Sequence, residues 1–402
     1  MKKRFLLAGL LSAFLLKAKA QTSDSSYQKS TLSKTEVELV YNHYIQDGHN
    51  SAVTGGIGTE KLTVYSPSVR IGHTFKEYNT IRFVGGVDII SSASVDNIDF
   101  VMSSASSRDA RSYGNLNYQR QLKKKDIRLG IGSGFSIESD YMSIPVFASA
   151  EYTNPAKTRT YSFDFQAYFD DLRWGRLDPD YHRPVKLIYP VELRNKQWFD
   201  NYRRESYNFK FGFTQVINPR LVLGVFPEFA YQQGLLATPF HRVYFKNDSL
   251  KVENLPADRY KVPVGIRLNY FMGSRTILKL NYGFYWDSFD IQGNSIELEA
   301  AIKTSPQWTI SPFFRFYNQS GSSYFRPYKE HLISEKYYTS DYDLSSFQSY
   351  KAGINLRYLP SAYLTKRISF DELNLRYGFF HRSNGLNAHM ITLAVKFVRE
   401  KR

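Results

Sequence analysis

The chain has 402 residues, no cysteine and a formal net charge of +16. Without cysteine, disulfides, thiol catalysis and thiolate metal ligands are excluded. The Lys and Arg are spread along the chain, with only Lys123 to Lys125 in a tight run, so the charge reads as attraction to anionic lipid headgroups and lipopolysaccharide rather than as a nucleic-acid footprint.

In chain order, the first twenty residues read as an export signal. Lys2, Lys3 and Arg4 are a positive start, Phe5 to Leu16 is an apolar core, and Ala18-Lys19-Ala20 is a small-x-small cleavage pattern. The apolar core is shorter than the roughly 20 residues a spanning helix needs. Residues 21–34 are rich in Ser and Thr and are expected to be a flexible periplasmic lead-in.

From residue 35 to 402 the dominant signal is period-two alternation, the strand template. Tyr161, Phe163 and Phe165 alternate with Ser162, Asp164 and Gln166. Tyr207, Phe209, Phe211 and Phe213 alternate with Asn208, Lys210, Gly212 and Thr214. The same holds for Val264 to Tyr270, Leu278 to Trp286, Ile296 to Ile302 and Ile354 to Tyr358. At the C-terminus Ile391, Leu393, Val395 and Phe397 alternate with Thr392, Ala394 and Lys396. A last amphipathic strand with a near-terminal aromatic resembles the signal read by barrel-assembly machinery, although here the chain runs on to Arg402.

The connections alternate as well. Short links at Phe75–Asn79, Gln121–Asp126, Thr153–Thr158, Ile217–Arg220, Phe271–Arg275 and Thr304–Gln307 intersperse with generally longer ones. The longest of these are Asp171–Arg203, Gln233–Tyr260 and Asn318–Ser346. Short periplasmic turns alternating with long external loops predict an all-β, antiparallel up-and-down barrel in the bacterial outer membrane, with about 16 strands (14 to 16). Soluble sandwiches and propellers also alternate, but with shorter strands and more frequent turns. Pro360–Asp371 is too long for the periplasmic link it should be, and breaks the pattern.

The polar face carries both charge signs. Arg82, Asp88, Lys210, Arg267, Lys279, Glu297, Glu299, Arg315, Arg357 and Arg376 are the candidate lumen-lining residues. They fit either a pore with a weak anion preference or a narrow interior filled by mutually paired charges. Asp47 with Glu60, and Asp96 with Asp99, are candidate cation ligands, with hydrogen-bonded turns as the alternative. The histidines include no His-x-x-x-His or His-Glu-x-x-His pair, so zinc is not expected. His381, Ser383 and His389 are the best candidates for a barrel hydrolase, but no nucleophile elbow or acidic orienter accompanies them. No catalytic residue and no cofactor is expected.

Two blocks look ordered beyond ordinary loops: Asp47-Gly48-His49-Asn50 through Gly55-Gly56-Ile57-Gly58-Thr59-Glu60, and Ser91 to Asp99 with Ser103 to Asp109. With Leu375-Arg376-Tyr377-Gly378 and Ser383-Asn384-Gly385-Leu386, they resemble the bacterial family known as DUF3570, a domain of unknown function. The resemblance implies an outer-membrane barrel. It also implies company with a periplasmic flavin transferase and a small lipoprotein, hence an envelope redox assembly as an alternative to a pore or scaffold role. It assigns no catalytic residues.

Overall fold

The computed structural model describes residues 33–92, 108–122, 126–138, 141–172, 202–238, 240–360, 362–365 and 367–401. The export signal, most of the lead-in, and Asp96 and Asp99 lie outside them.

Sixteen long antiparallel strands close into one barrel. They are β1 (Ser33–Asp47), β2 (Leu62–Phe75), β3 (Asn79–Ser92), β4 (Arg108–Leu122), β5 (Ile127–Ile137), β6 (Met142–Thr153), β7 (Arg159–Asp171), β8 (Arg203–Asn218) and β9 (Leu221–Gly234), followed, after a loop hairpin β10 (Arg242–Tyr244) and β11 (Leu250–Val252), by β12 (Asp258–Met272), β13 (Thr276–Asp287), β14 (Gln292–Lys303), β15 (Trp308–Gln319) and β16 (Phe347–Tyr358), and, beyond a short β17 (Ala362–Thr365), by β18 (Ile368–Arg382) and β19 (Leu386–Lys401). Each pairs with its sequence neighbour, and β1 closes the ring on β19 in continuous register from Ser33↔Lys401 to Asp47↔Asn387. Closure satisfies every strand edge, which a chain in hydrocarbon requires.

The alternation decides which face meets lipid. Leu39, Tyr41 and Ile45 of β1, Leu129, Ile131 and Phe135 of β5, and Ile296 and Leu298 of β14 all lie on the exposed apolar parity. Aromatic pairs cross strands on that face, such as Phe163–Phe211 and Phe165–Phe209 at 5.2 Å between ring centroids. An outward apolar wall in a closed barrel is an outer-membrane protein. Ser33 and Lys401, the first and last described residues, lie at the rim with the short links, the periplasmic one.

The link expected to be long is not a loop. β17 pairs with the start of β18, Ala362↔Phe370 and Thr365↔Ile368, and so continues β16 beyond Tyr358 before a tight reversal. The link's length is strand, and the alternation of long and short connections holds. The Ser383-Asn384-Gly385 link between β18 and β19 turns on Gly385, whose φ of +95° is the left-handed state a three-residue hairpin demands.

Candidate functional site on the inner wall and outer mouth

A sixteen-stranded ring is too wide for its own side chains to fill, so its interior holds water or inserted loops. The ten lumen candidates all occupy the parity opposite the exposed apolar residues. Strand register draws several into one row: Arg267↔Asn281, Asn281↔Glu297, Glu297↔Arg315 and Arg315↔Lys351. One level toward the periplasm, Lys279 Nζ donates to Glu299 Oε1 at 2.8 Å. Arg376 on β18, three strands around the ring from β14, reaches back to the same carboxylate at 3.2 Å. It does so across Phe313, whose ring centroid is 3.8 Å from the guanidinium. Phe313 can lie flat there because the facing wall is Gly353 and Gly378: a Cβ at Gly353 would sit 2.6 Å from its ring.

The remaining cations of this patch differ from Lys279 and Arg376. Among the described residues, Arg267, Arg315 and Lys351 have no carboxylate within salt-bridge distance. Arg267 donates to Asn281 at 3.1 Å and faces Phe226 at 5.3 Å. Arg315 lies over Tyr317 at 5.7 Å, and Lys351 over Phe313 at 5.8 Å. Aromatic faces hold cations without neutralising them, so charge remains available to the lumen. Elsewhere the wall is paired: Asp88 with Arg111 at 2.8 Å, Lys210 with Glu228 at 3.4 Å, and Arg357 with Glu372 at 2.8 Å. Arg82 lines a periplasmic-side cavity of ≈ 350 Å³ with Glu36, Glu38, Arg70, Glu372 and Lys396.

Three external loops meet over the outer ends of the strands: residues 48–61, 235–257 and 320–346, here the first, second and third loops. Second and third join through Asn254 and Tyr338, which exchange both backbone hydrogen bonds at 3.1 and 2.8 Å. A further bridge joins Phe245 to His331. Val243, Phe245 and Tyr338 form a small apolar core between them. The first loop enters through Gly55 and Gly56, both at positive φ, where a Cβ would strike the Tyr244 ring at 2.5 Å and the Ser340 carbonyl at 3.0 Å. The third loop is tied to the wall by the ion pair of Asp343 with Arg382.

Beside that core is a knot of ionisable groups. Glu253 accepts from Thr339 Oγ1 and the Thr238 amide, and meets His241 Nδ1 at 3.3 Å. Burial alone would lower His241, but the carboxylates of Glu253, Asp341 and Asp343 outweigh it and raise the imidazole above its ordinary value. Burial raises Asp341, against the pull of His241 and with Asp343 and Glu253 adding to it. Burial likewise pushes Glu60 up to about 7, with Arg382 opposing and Asp343 and Asp341 reinforcing. The sequence singled out only Glu60, paired with Asp47, because the members of this knot come from three loops with no shared motif.

The other candidates are not brought together. Asp47 lies on the outward parity of β1 with its carboxylate 4.0 Å from Lys61, whereas Glu60 turns toward Gly48 and the Arg382 side. Among the described residues no cluster of three or more His, Cys, Asp or Glu could hold a metal. His381 pairs with Asn387 at 2.8 Å, and His389 with the Tyr377 hydroxyl at 2.9 Å. Ser383 Oγ instead accepts from the Gln348 amide at 3.0 Å. The inner position of Phe313 escaped the sequence reading because it sits in a Phe-Phe-Arg-Phe-Tyr run. Only its parity with Arg315 could have revealed it.

A family model described as "Protein of unknown function (DUF3570)" matches residues 100–365. The match takes in the end of the second resemblance block and lies between the first block and the C-terminal one. No curated protein matches the chain. Among solved structures, OccK7 (OpdD) of Pseudomonas aeruginosa is 9% identical, with 92% of this chain and 99% of that one covered at a TM-score of 0.44. OccK1 (OpdK) of the same organism gives the same identity and coverage at 0.42. A BenF-like porin from Pseudomonas fluorescens Pf-5 is 9% identical over 90% of this chain and 98% of that one, also at 0.42. Likeness this distant carries nothing about solute.

Proposed function

The chain belongs to the DUF3570 family, and from that premise we propose that this outer-membrane barrel is a passive channel favouring small anionic solutes such as carboxylates and phosphates. One observation carries the reading: Arg267, Arg315 and Lys351 share one row of the inner wall with a single carboxylate among the described residues, Glu297, which lies outside salt-bridge distance of all three, so the row keeps a net positive charge. Positive groups at a channel wall lower the barrier for anions and raise it for cations. The separation of Ser383 from His381 and His389 gives no comparable support to a hydrolase.

Planar-bilayer recordings under a salt gradient test this. The wild type should show a reversal potential of anion-selective sign. A unit charge about 4 Å from an ion is worth ~1 kcal/mol even in water, so R267Q/R315Q/K351Q should lower the anion-to-cation permeability ratio severalfold. A channel that prefers cations, or the absence of conductance at every pH, overturns the reading.

A further inference from the structure

Loops that merely connect strands keep their ionisable groups in water. Here the second and third loops bury three of theirs at the seam where they meet: His241 and Glu253 from the second loop and Asp341 from the third, with Asp343 beside them at the surface. Glu60 comes from the first, with Arg382 and Tyr44 facing it from the wall. The side chain of Glu253 is only 2% exposed, and Thr339, which donates to it, is fully buried. Around this knot the third loop holds His331 against Glu335 and the Thr339 carbonyl, and Lys329 meets Asp248 across the surface of the seam. The loops are anchored on different parts of the ring, the second between β9 and β12 and the third between β15 and β16. Their junction therefore spans the outer mouth on that side.

We propose that the second and third loops are the two leaves of a lid over the channel mouth, joined in mild acid and parting as the medium becomes alkaline. The proposal rests on the channel reading for its consequence, but the parting of the seam is a property of the loops alone. The direction follows from proton linkage. Glu60 and Asp341 hold protons more tightly in the closed lid than in a solvated loop, and so does His241 beside its carboxylates. Closing therefore takes up protons, and a closed state that binds more protons is favoured as pH falls. For Glu60 the window runs from its ordinary 4.5 up to about 7. Below it the carboxyl is neutral in both states. Through it and above, the buried site must hold a charge that the open loop would give to water. His241 extends the same trend to higher pH, because its stabilising charge is lost only as pH climbs past its raised value.

Two measurements test it. Amide exchange at Asn254 and Tyr338, the two donors across the seam, should lose at least about tenfold in protection, corrected for intrinsic rate, between roughly pH 5.5 and pH 8.5. Conductance should rise over the same range. The cysteine-free background also allows a lock: Asn254→Cys with Tyr338→Cys sits on a hydrogen-bonded antiparallel pair, whose Cα separation of about 5.5 Å suits a disulfide. Oxidised, this variant should stay at low conductance at every pH, and reduction should restore the rise. Protection that does not change with pH overturns the lid, as does equal conductance of the oxidised and reduced variant. Lost protection in a barrel that never conducts supports the seam and overturns the channel reading instead.

Discussion

Replacing Asp287 with alanine should destabilise the folded barrel by about 3–5 kcal/mol, the cost of leaving a buried charge without its partner. Asp287 ends β13 and is fully buried. Its Oδ2 takes Arg259 Nε at 3.0 Å and the Tyr285 hydroxyl at 2.7 Å, while Oδ1 takes the amides of Phe289 and Ile291 at 2.9 and 3.1 Å. Without the carboxylate, Arg259 is left facing the Phe289 ring, 4.4 Å away, and two amides of the following turn lose their acceptor. The loss should also reach the lid, because the Phe289 carbonyl receives the Ser323 amide and its ring packs against Tyr324 of the third loop. Asp287→Asn keeps an acceptor for the amides but not the charge, so it should fall between wild type and alanine. Urea unfolding in detergent or liposomes would measure this as a lower midpoint at unchanged slope. A change below about 1 kcal/mol, the scale of an exposed pair, would show that this network does not clamp the turn.

The second large effect tests the sidedness of the wall. Leu298→Arg should cost about 2–4 kcal/mol, the penalty for arginine on the lipid face near the bilayer midplane. Leu298 is 54% exposed in the middle of β14, level with Leu280 on one side and Phe314 on the other. Those neighbours offer no counter-charge. Arginine at Ala301, three residues away on the opposite parity, should change stability little because it enters the polar interior. Equal costs at the two sites would mean that the two faces of β14 see the same medium, and the barrel assignment would fall.

These expectations draw on features of different visibility in the sequence. The alternation of Leu298 with Glu297 and Glu299 can be read from three letters, since a strand's side chains change face at every residue. The strand count followed from turn residues and from the rhythm of short and long links. β17 was hidden because its four residues, Ala362 to Thr365, are exposed apolar and polar side chains without alternating burial. What made them strand was pairing with β18, a partner that local pattern does not name. The reach of Arg376 to Glu299 was equally hidden. The two lie 77 residues apart, and their meeting depends on Phe313 lying flat against Gly353 and Gly378.

By itself, then, the order of residues determined the medium of each strand face, the closed antiparallel wall and the set of charges turned inward. All of these follow from local periodicity, which a hydrocarbon solvent enforces one residue at a time. Only the folded ring decided which inward charges neutralise one another and which stay available, because that depends on the stagger between strands. Only the meeting of three separate loops decided that His241, Glu253 and Asp341 cluster at one seam, with Glu60 packed beside Asp341. Contacts between distant segments carry no period, and burial of a charge is a property of everything around it.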